Sequence, residues 1–275
     1  MTRATPIRLL LALFAVAILL SPLLWLIDTS LKTDATAMLA PPLWLPAPPT
    51  PASYGELADP NIDFYHFLFN SAVTAIATAL VSTLFCALAA YGFTRRPVPA
   101  GRVLLLTILA SQMFPSVVLV LAIYDLYRRL NLLNSSLGLV LAYMTITIPF
   151  AVWLLRGFFA AVPAEIKEAA QVDGASPFRV FRQISLPLVR PGLIAAGTFS
   201  FLEAWNNLVF PLSLVSKRAV LTAPPGLLLA FFGQFKSDWA GLMAASVVMS
   251  IPAILLFALV QRFLVGGLAA GAVRG

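Results

Sequence analysis

Residues 67–93 read FLFNSAVTAIATALVSTLFCALAAYGF, a stretch without a single Asp, Glu, Lys or Arg. As a helix rising ~1.5 Å per residue, such a run exceeds the roughly 30 Å of hydrocarbon in a bilayer. Nothing in it alternates in the manner of a barrel strand, and backbone amides in lipid must be paired within their own segment, so a helix is the conformation to expect. Five further stretches are likewise strongly apolar: residues 9–27, 103–124, 137–159 (with Arg156 near its end), 193–215 (with Glu203 inside it) and 239–260. The predicted fold class is an all-α integral membrane protein with six transmembrane helices.

Composition agrees. Of 275 residues 60% are hydrophobic and 11% charged, and the mean hydropathy is +0.93, whereas a soluble domain carries about 25% charged residues. The net charge of +7 is spread between apolar runs and forms no basic stripe, which excludes nucleic acid as a partner. One cysteine, Cys86, and one histidine, His66, cannot make a disulfide framework or a Cys/His metal site.

Arg3 and Arg8 precede the first stretch, as in a secretory signal, and Ala35-Thr36-Ala37 resembles a cleavage site. That site lies too far beyond a run that is itself too long for a signal, so the first helix is expected to be retained. With the amino terminus inside, twelve Lys and Arg fall on the cytoplasmic side (Arg3, Arg8, Arg95, Arg96, Arg102, Arg156, Lys167, Arg179, Arg182, Arg190, Arg262, Arg274) and six outside. The bias predicts both termini cytoplasmic. Residues 1–27 are then the cytoplasmic start and first span. Residues 28–66, rich in proline, are an irregular external loop, either a spacer or a docking surface. Residues 67–262 are the membrane core and 263–275 a cytoplasmic tail. No internal repeat stands out.

Between the fourth and fifth spans, residues 163–187 read PAEIKEAAQVDGASPFRVFRQISLP. Pro163 suits a first turn, residues 164–172 are good helix formers, and Asp173-Gly174 offers a left-handed stop. Ser176-Pro177 starts a second helix as N-cap and first-turn proline, with Phe178, Phe181 and Ile184 at helical spacing. Ala169 and Ala170 allow close approach of another helix, and Glu165 and Glu168 put negative charge near the helix start. These residues alone leave two readings nearly even: a knob entering a cleft on a partner, or a helix pair on anionic lipid through Arg179, Arg182 and Arg190.

The spacing of Glu168-Ala169-Ala170, Gly174 and Ile184-Ser185-Leu186-Pro187 resembles the EAA loop of permeases of ATP-binding-cassette importers. The likeness extends through Asn70-Ser71, Ala89-Ala90-Tyr91-Gly92-Phe93, Trp205-Asn206-Asn207 and the tail 267–275, and is greatest to the MalG-type permease subunit of carbohydrate importers. That resemblance implies a multi-pass protein of a bacterial or archaeal inner membrane, a type I importer permease architecture, a second homologous permease, two ATPase subunits, an extracytoplasmic substrate-binding protein and surrounding lipid. It implies that Glu168, Ala169, Ala170, Asp173, Gly174, Ile184, Leu186 and Pro187 couple the chain to an ATPase.

No G-x-x-x-x-G-K-[ST] occurs, so no nucleotide-binding site, catalytic residue or cofactor is expected on this chain; ATP and Mg belong to the partner ATPase. Within the spans, Glu203 is the only acidic residue far from an end, near the bilayer midplane by residue count. With Trp205, Asn206 and Asn207 it offers a flat apolar face and amide groups suited to a sugar, or else polar contacts between helices. Gln112 and Tyr143 are weaker candidates for the substrate path. Pro115, Pro149 and Pro252 are expected kinks. Glycerol phosphate or another small polar solute is an alternative cargo. A self-contained secondary transporter would need more buried ionisable groups than Glu203 alone.

Overall fold

The computed structural model describes residues 6–95, 101–232 and 237–272, with side chains over 8–95, 101–232 and 237–263. Arg3, Arg96, Lys236, Arg274 and the side chains of the tail lie outside the described residues. The helices in chain order are α1 (Pro6–Ser30), α2 (Asp34–Ala37), α3 (Ala52–Glu56), α4 (Phe64–Arg95), α5 (Gly101–Ala110), α6 (Ser116–Leu130) and α7 (Ser136–Ala160). They continue with α8 (Ala164–Val172), α9 (Pro177–Val180), α10 (Leu186–Leu188), α11 (Arg190–Trp205), α12 (Val209–Leu214), α13 (Ala223–Phe231) and α14 (Trp239–Ala272). Among the described residues there is no β-strand, only an isolated bridge between Phe232 and Ser237.

Four unbroken helices are long and apolar enough to cross a membrane, and two bent pairs bring the number to six. The bent pairs correct two expectations. The third stretch is two helices meeting at 98°, because Pro115 sits extended at φ −58°, ψ 132° and has no N–H for the ladder. The fifth is bent by 78° where residues 177–188 meet α11, and it does not run from 193 to 215: α11 stops at Trp205. There Asn206 donates its side-chain amide to the Leu202 carbonyl (3.1 Å) and Asn207 accepts from the Phe210 amide (3.0 Å), ending one helix and starting α12. The sixth runs on unbroken from Trp239 to Ala272, so the backbone shows no joint between residues 262 and 263 where a separate tail was expected. Helix α13 was not foreseen; at nine residues, opening on Pro224-Pro225, it is too short to read as a span.

The chain divides into two compact units. One comprises residues 1–66 and 226–251. In it the proline-rich stretch is less irregular than its composition suggests. It wraps the buried Lys32, which pairs with Asp28 (2.5 Å), donates to the Leu43 carbonyl (2.7 Å) and lies 4.5 Å from the centroid of the Trp25 ring. Asp34 and Asp238 accept from the Trp239 and Gly241 amides at the start of α14, where carboxylates complement the helix dipole.

The other unit comprises residues 67–225 and 252–275. Its centre is the packing of α11 on α7. Gly192, Ala196, Ser200 and Ala204 are all buried, one turn apart on one face of α11, a ridge of small residues that lets two backbones approach in the absence of a hydrophobic drive between helices. A Cβ on Gly192 would stand 2.5 Å from Cγ of Phe158. Helices α4 and α7 are joined by the buried hydroxyls of Ser82 and Thr147, 2.8 Å apart. Asn70 donates to the Ala219 and Leu221 carbonyls, and Ser71 accepts from the Ala223 amide, tying the start of the second span to the segment entering α13. Asn134 likewise accepts from the Ser216 and Lys217 amides.

Gly192→Leu is expected to force α11 away from α7 and to destabilise the chain by about 1–3 kcal/mol or more, read as a lower melting temperature in detergent. Ser200 has a buried hydroxyl with no partner among the described residues, so Ser200→Ala should be neutral or slightly stabilising, within about 0.5 kcal/mol.

Candidate functional site

Two features of the second unit carry the predicted site residues. The first is the 163–187 loop. Helix α8 follows Pro163 and ends on a Schellman turn: the Gly174 amide donates to the Gln171 carbonyl (3.0 Å) and the Ala175 amide to the Ala170 carbonyl (2.9 Å). Gly174 has φ +81°, the left-handed conformation that this motif requires and that glycine adopts without steric cost. Ser176 caps α9 by accepting from the Arg179 amide at 3.3 Å, with Pro177 in the first turn. The expected helix–glycine–helix is therefore present at the expected residues.

The two arms differ in surroundings. Helix α8 has no buried residue. Glu168, Ala169, Asp173 and Gly174 are exposed, Ala170 is half-buried, and Val172 is 88% exposed. The second arm is embedded. Val180, Phe181, Ser185 and Val189 are buried, and Phe181 packs against Tyr91 and Phe159, with ring centroids 4.9 and 6.2 Å away. Between α9 and α10 the chain makes a π turn, Phe181–Ser185. This wider turn lies directly before Pro187, whose ring and missing N–H disfavour an ordinary α turn there. Ile184 and Leu186 are half-buried on this arm, and Pro187 is exposed. Where α4 and α7 end and α8 begins, a hollow of about 800 Å³ carries Arg95, Arg156 and Lys167 beside Glu165.

The Tyr91–Phe159–Phe181 clamp was not anticipated as a unit. Phe181 was seen only as part of a helical period, and Tyr91 only as part of a resembling segment; their meeting depends on three elements distant in sequence.

The second feature is a groove of about 850 Å³ formed by α5, α6, α7 and α11 together with the breaks at Pro115 and Asn207. It unites three of the six predicted substrate-path residues: Gln112, Glu203 and Asn207. Phe150 and Phe199 line it with ring centroids 4.4 Å apart. Gln112 donates to the Ile146 carbonyl (2.6 Å), three residues before Pro149. Glu203 is exposed in the last turn of α11 and has no hydrogen-bond or ion-pair partner among the described residues. Helix α11 is unbroken from Arg190 to Trp205, so the helix end at Asn206 lies beyond Glu203.

The other three candidates lie elsewhere. Tyr143 is fully buried with its ring against Phe210 and its hydroxyl toward Thr222. Trp205 is 2% exposed and stacks on Phe201 at 5.4 Å. These two are core residues, because the large aromatic ring at each position fills space between helices that no smaller neighbour fills. Asn206 is exposed but its amide is turned back onto α11. Among the described residues no group of three His, Cys, Asp or Glu side chains is placed to hold a metal, and Cys86 is a buried free thiol.

The geometry has counterparts of known description. Residues 82–269 match the family model of the binding-protein-dependent transport system inner membrane component. The sulfoquinovosyl glycerol transport system permease of Agrobacterium fabrum is 34% identical over 98% of this chain and 94% of its own. The trehalose transport system permease of Mycobacterium tuberculosis is 34% identical over 93% of each chain. A solved bacterial transporter that imports the acidic polysaccharide alginate shares the fold, with a TM-score of 0.77 over 92% of this chain and 93% of that one at 21% identity. This chain is a member of the binding-protein-dependent transport system inner membrane component family, a multi-pass inner-membrane permease.

Proposed function

We propose that the chain is one permease subunit of an ATP-driven sugar importer, forming half of the translocation path and taking its drive from a separate ATPase through α8. The observation that carries this is the asymmetry of the 163–187 loop: one arm is wholly free, the other is locked by Phe181 into the core of the spans. A push on α8 is therefore delivered to α4, α7 and α11 rather than dissipated in a flexible loop. Glu168, Ala169, Ala170, Asp173 and Gly174 form the face or turn offered to the ATPase; Ile184, Leu186 and Pro187 anchor it.

Family membership supports a partnership with an ATPase and a substrate-binding protein. The full assembly we propose has a second homologous permease and two ATPase subunits, with ATP and Mg held by the latter, and lipid around the spans. Both termini lie in the cytoplasm on the strength of the Lys and Arg bias, which also puts α8 and the basic hollow beside it on the ATPase side. Relatives named for trehalose, diacetylchitobiose and sulfoquinovosyl glycerol transport favour a glycoside as cargo. The groove agrees, since paired aromatic faces with a few convergent polar groups are what a polyhydroxylated ligand needs. A phosphate ester fits it poorly, because no Lys or Arg lines it.

Tagged chain extracted in mild detergent should bring down a second permease and an ATPase in stoichiometric amounts. Glu168→Lys should weaken ATPase recovery. Val172→Asp should leave the melting temperature of the chain unchanged, within about 0.5 kcal/mol, while weakening that recovery; equal recovery in both variants would remove α8 from the contact. Val180→Asp, which buries a charge, should prevent folding. In the assembled transporter, Glu203→Ala and Asn207→Ala are expected to change uptake kinetics without altering ATPase recovery, whereas Asn206→Ala should change uptake little.

A further inference from the structure

The polar groups of the groove carry one formal charge, the Glu203 carboxylate. The Ser111 hydroxyl donates to the Ile108 carbonyl (2.6 Å), the Gln112 amide to the Ile146 carbonyl (2.6 Å) and the Thr145 hydroxyl to the Ala142 carbonyl (2.6 Å). The Ser111 and Thr145 hydroxyl protons are thereby spent on the helix backbone, while Gln112 keeps a second amide N–H and Ser116 adds a hydroxyl to the lining. Glu203 adds a carboxylate, which when ionised is an acceptor only. No cation offsets it, since neither Lys nor Arg lines the groove and Glu203 has no partner among the described residues. The walls around it are Phe114, Phe150, Phe199 and Ile146, and low-dielectric walls concentrate the field of a single charge within a cleft.

We propose that Glu203 makes this groove a charge filter: it passes donor-rich neutral or amino-bearing glycosides and repels acidic ones. The inference rests on reading the groove as part of the transport path. Sugar hydroxyls and ammonium groups donate, and so they pair with the Glu203 carboxylate; carboxylate, sulfate or phosphate groups find only the neutral donors of Gln112, Ser116 and Asn207, and meet a like charge. The binding protein delivers the cargo, and the groove imposes a second selection by charge on what it releases.

The test needs no knowledge of the cargo. The chain has one cysteine, Cys86, which is fully buried and is replaced by Cys86→Ala. Thr145→Cys then places a single thiol on the exposed groove wall. In the detergent-solubilised complex, with its co-purifying subunits, the rates of modification by a cationic (trimethylammonium-ethyl) and an anionic (sulfonato-ethyl) methanethiosulfonate are measured with Glu203 present and with Glu203→Gln. The cation-to-anion rate ratio should be at least about fivefold higher with Glu203 than with glutamine, at low ionic strength, and should converge as salt is raised. A ratio that is the same in both backgrounds overturns the filter while leaving the path intact. A thiol that neither reagent reaches shows that the groove is closed to water, and sinks the path reading together with the filter.

Discussion

A backbone amide in hydrocarbon has no water to turn to, and this requirement shapes everything else in the chain. It makes each apolar stretch a helix, and it dictates where a helix is permitted to stop. Pro115 and the Asn206-Asn207 pair interrupt two spans, and both interruptions border the same groove. Irregular backbone at membrane depth is tolerated where it lines a polar cavity or is buried in protein. The breaks and the groove are therefore one feature: the groove allows the helices to break, and the breaks supply Gln112, Glu203 and Asn207 to its wall.

Packing between spans has to be achieved without the hydrophobic effect, since lipid is as apolar as leucine. The chain uses close approach instead, through the Gly192, Ala196, Ser200, Ala204 ridge against α7, and a few buried polar contacts such as Ser82 with Thr147. Many large apolar residues stay exposed, among them Leu80, Leu84 and Leu106. In a soluble protein they would be a liability; here they are the surface offered to lipid or to neighbouring subunits.

The proposed role as a transducer needs one surface free to be pushed and a rigid path behind it. Helix α8 has no buried side chain, and the Schellman turn at Gly174 fixes its angle to the next arm. Behind that turn, the Tyr91–Phe159–Phe181 clamp and the π turn before Pro187 tie the second arm to α4 and α7. Beyond a 78° bend at Val189, α11 leads to Glu203 at the groove. In the proposed role α8 and the groove are joined through the 177–188 arm, that bend and α11, within a single compact unit.

The apolar runs determined that the chain is a bundle of membrane helices, because the length and polarity of a span are local properties. The 163–187 loop was legible almost residue by residue for the same reason: Pro163, Gly174, Ser176 and Pro177 act through their own backbone and nearest neighbours. A kink was expected at Pro115, but its full break and the helix end at Asn206-Asn207 were not legible, since proline and asparagine are often tolerated inside membrane helices when neighbours satisfy the freed groups. Nor could sequence separate Glu203 and Asn207, which line the groove, from Trp205 between them, which is core. Those three residues lie within one turn and a helix end, so which of them faces the groove is decided by how α11 is rotated against α7. That rotation is set by the small-residue ridge and by Phe158, contacts that exist only once the helices have packed.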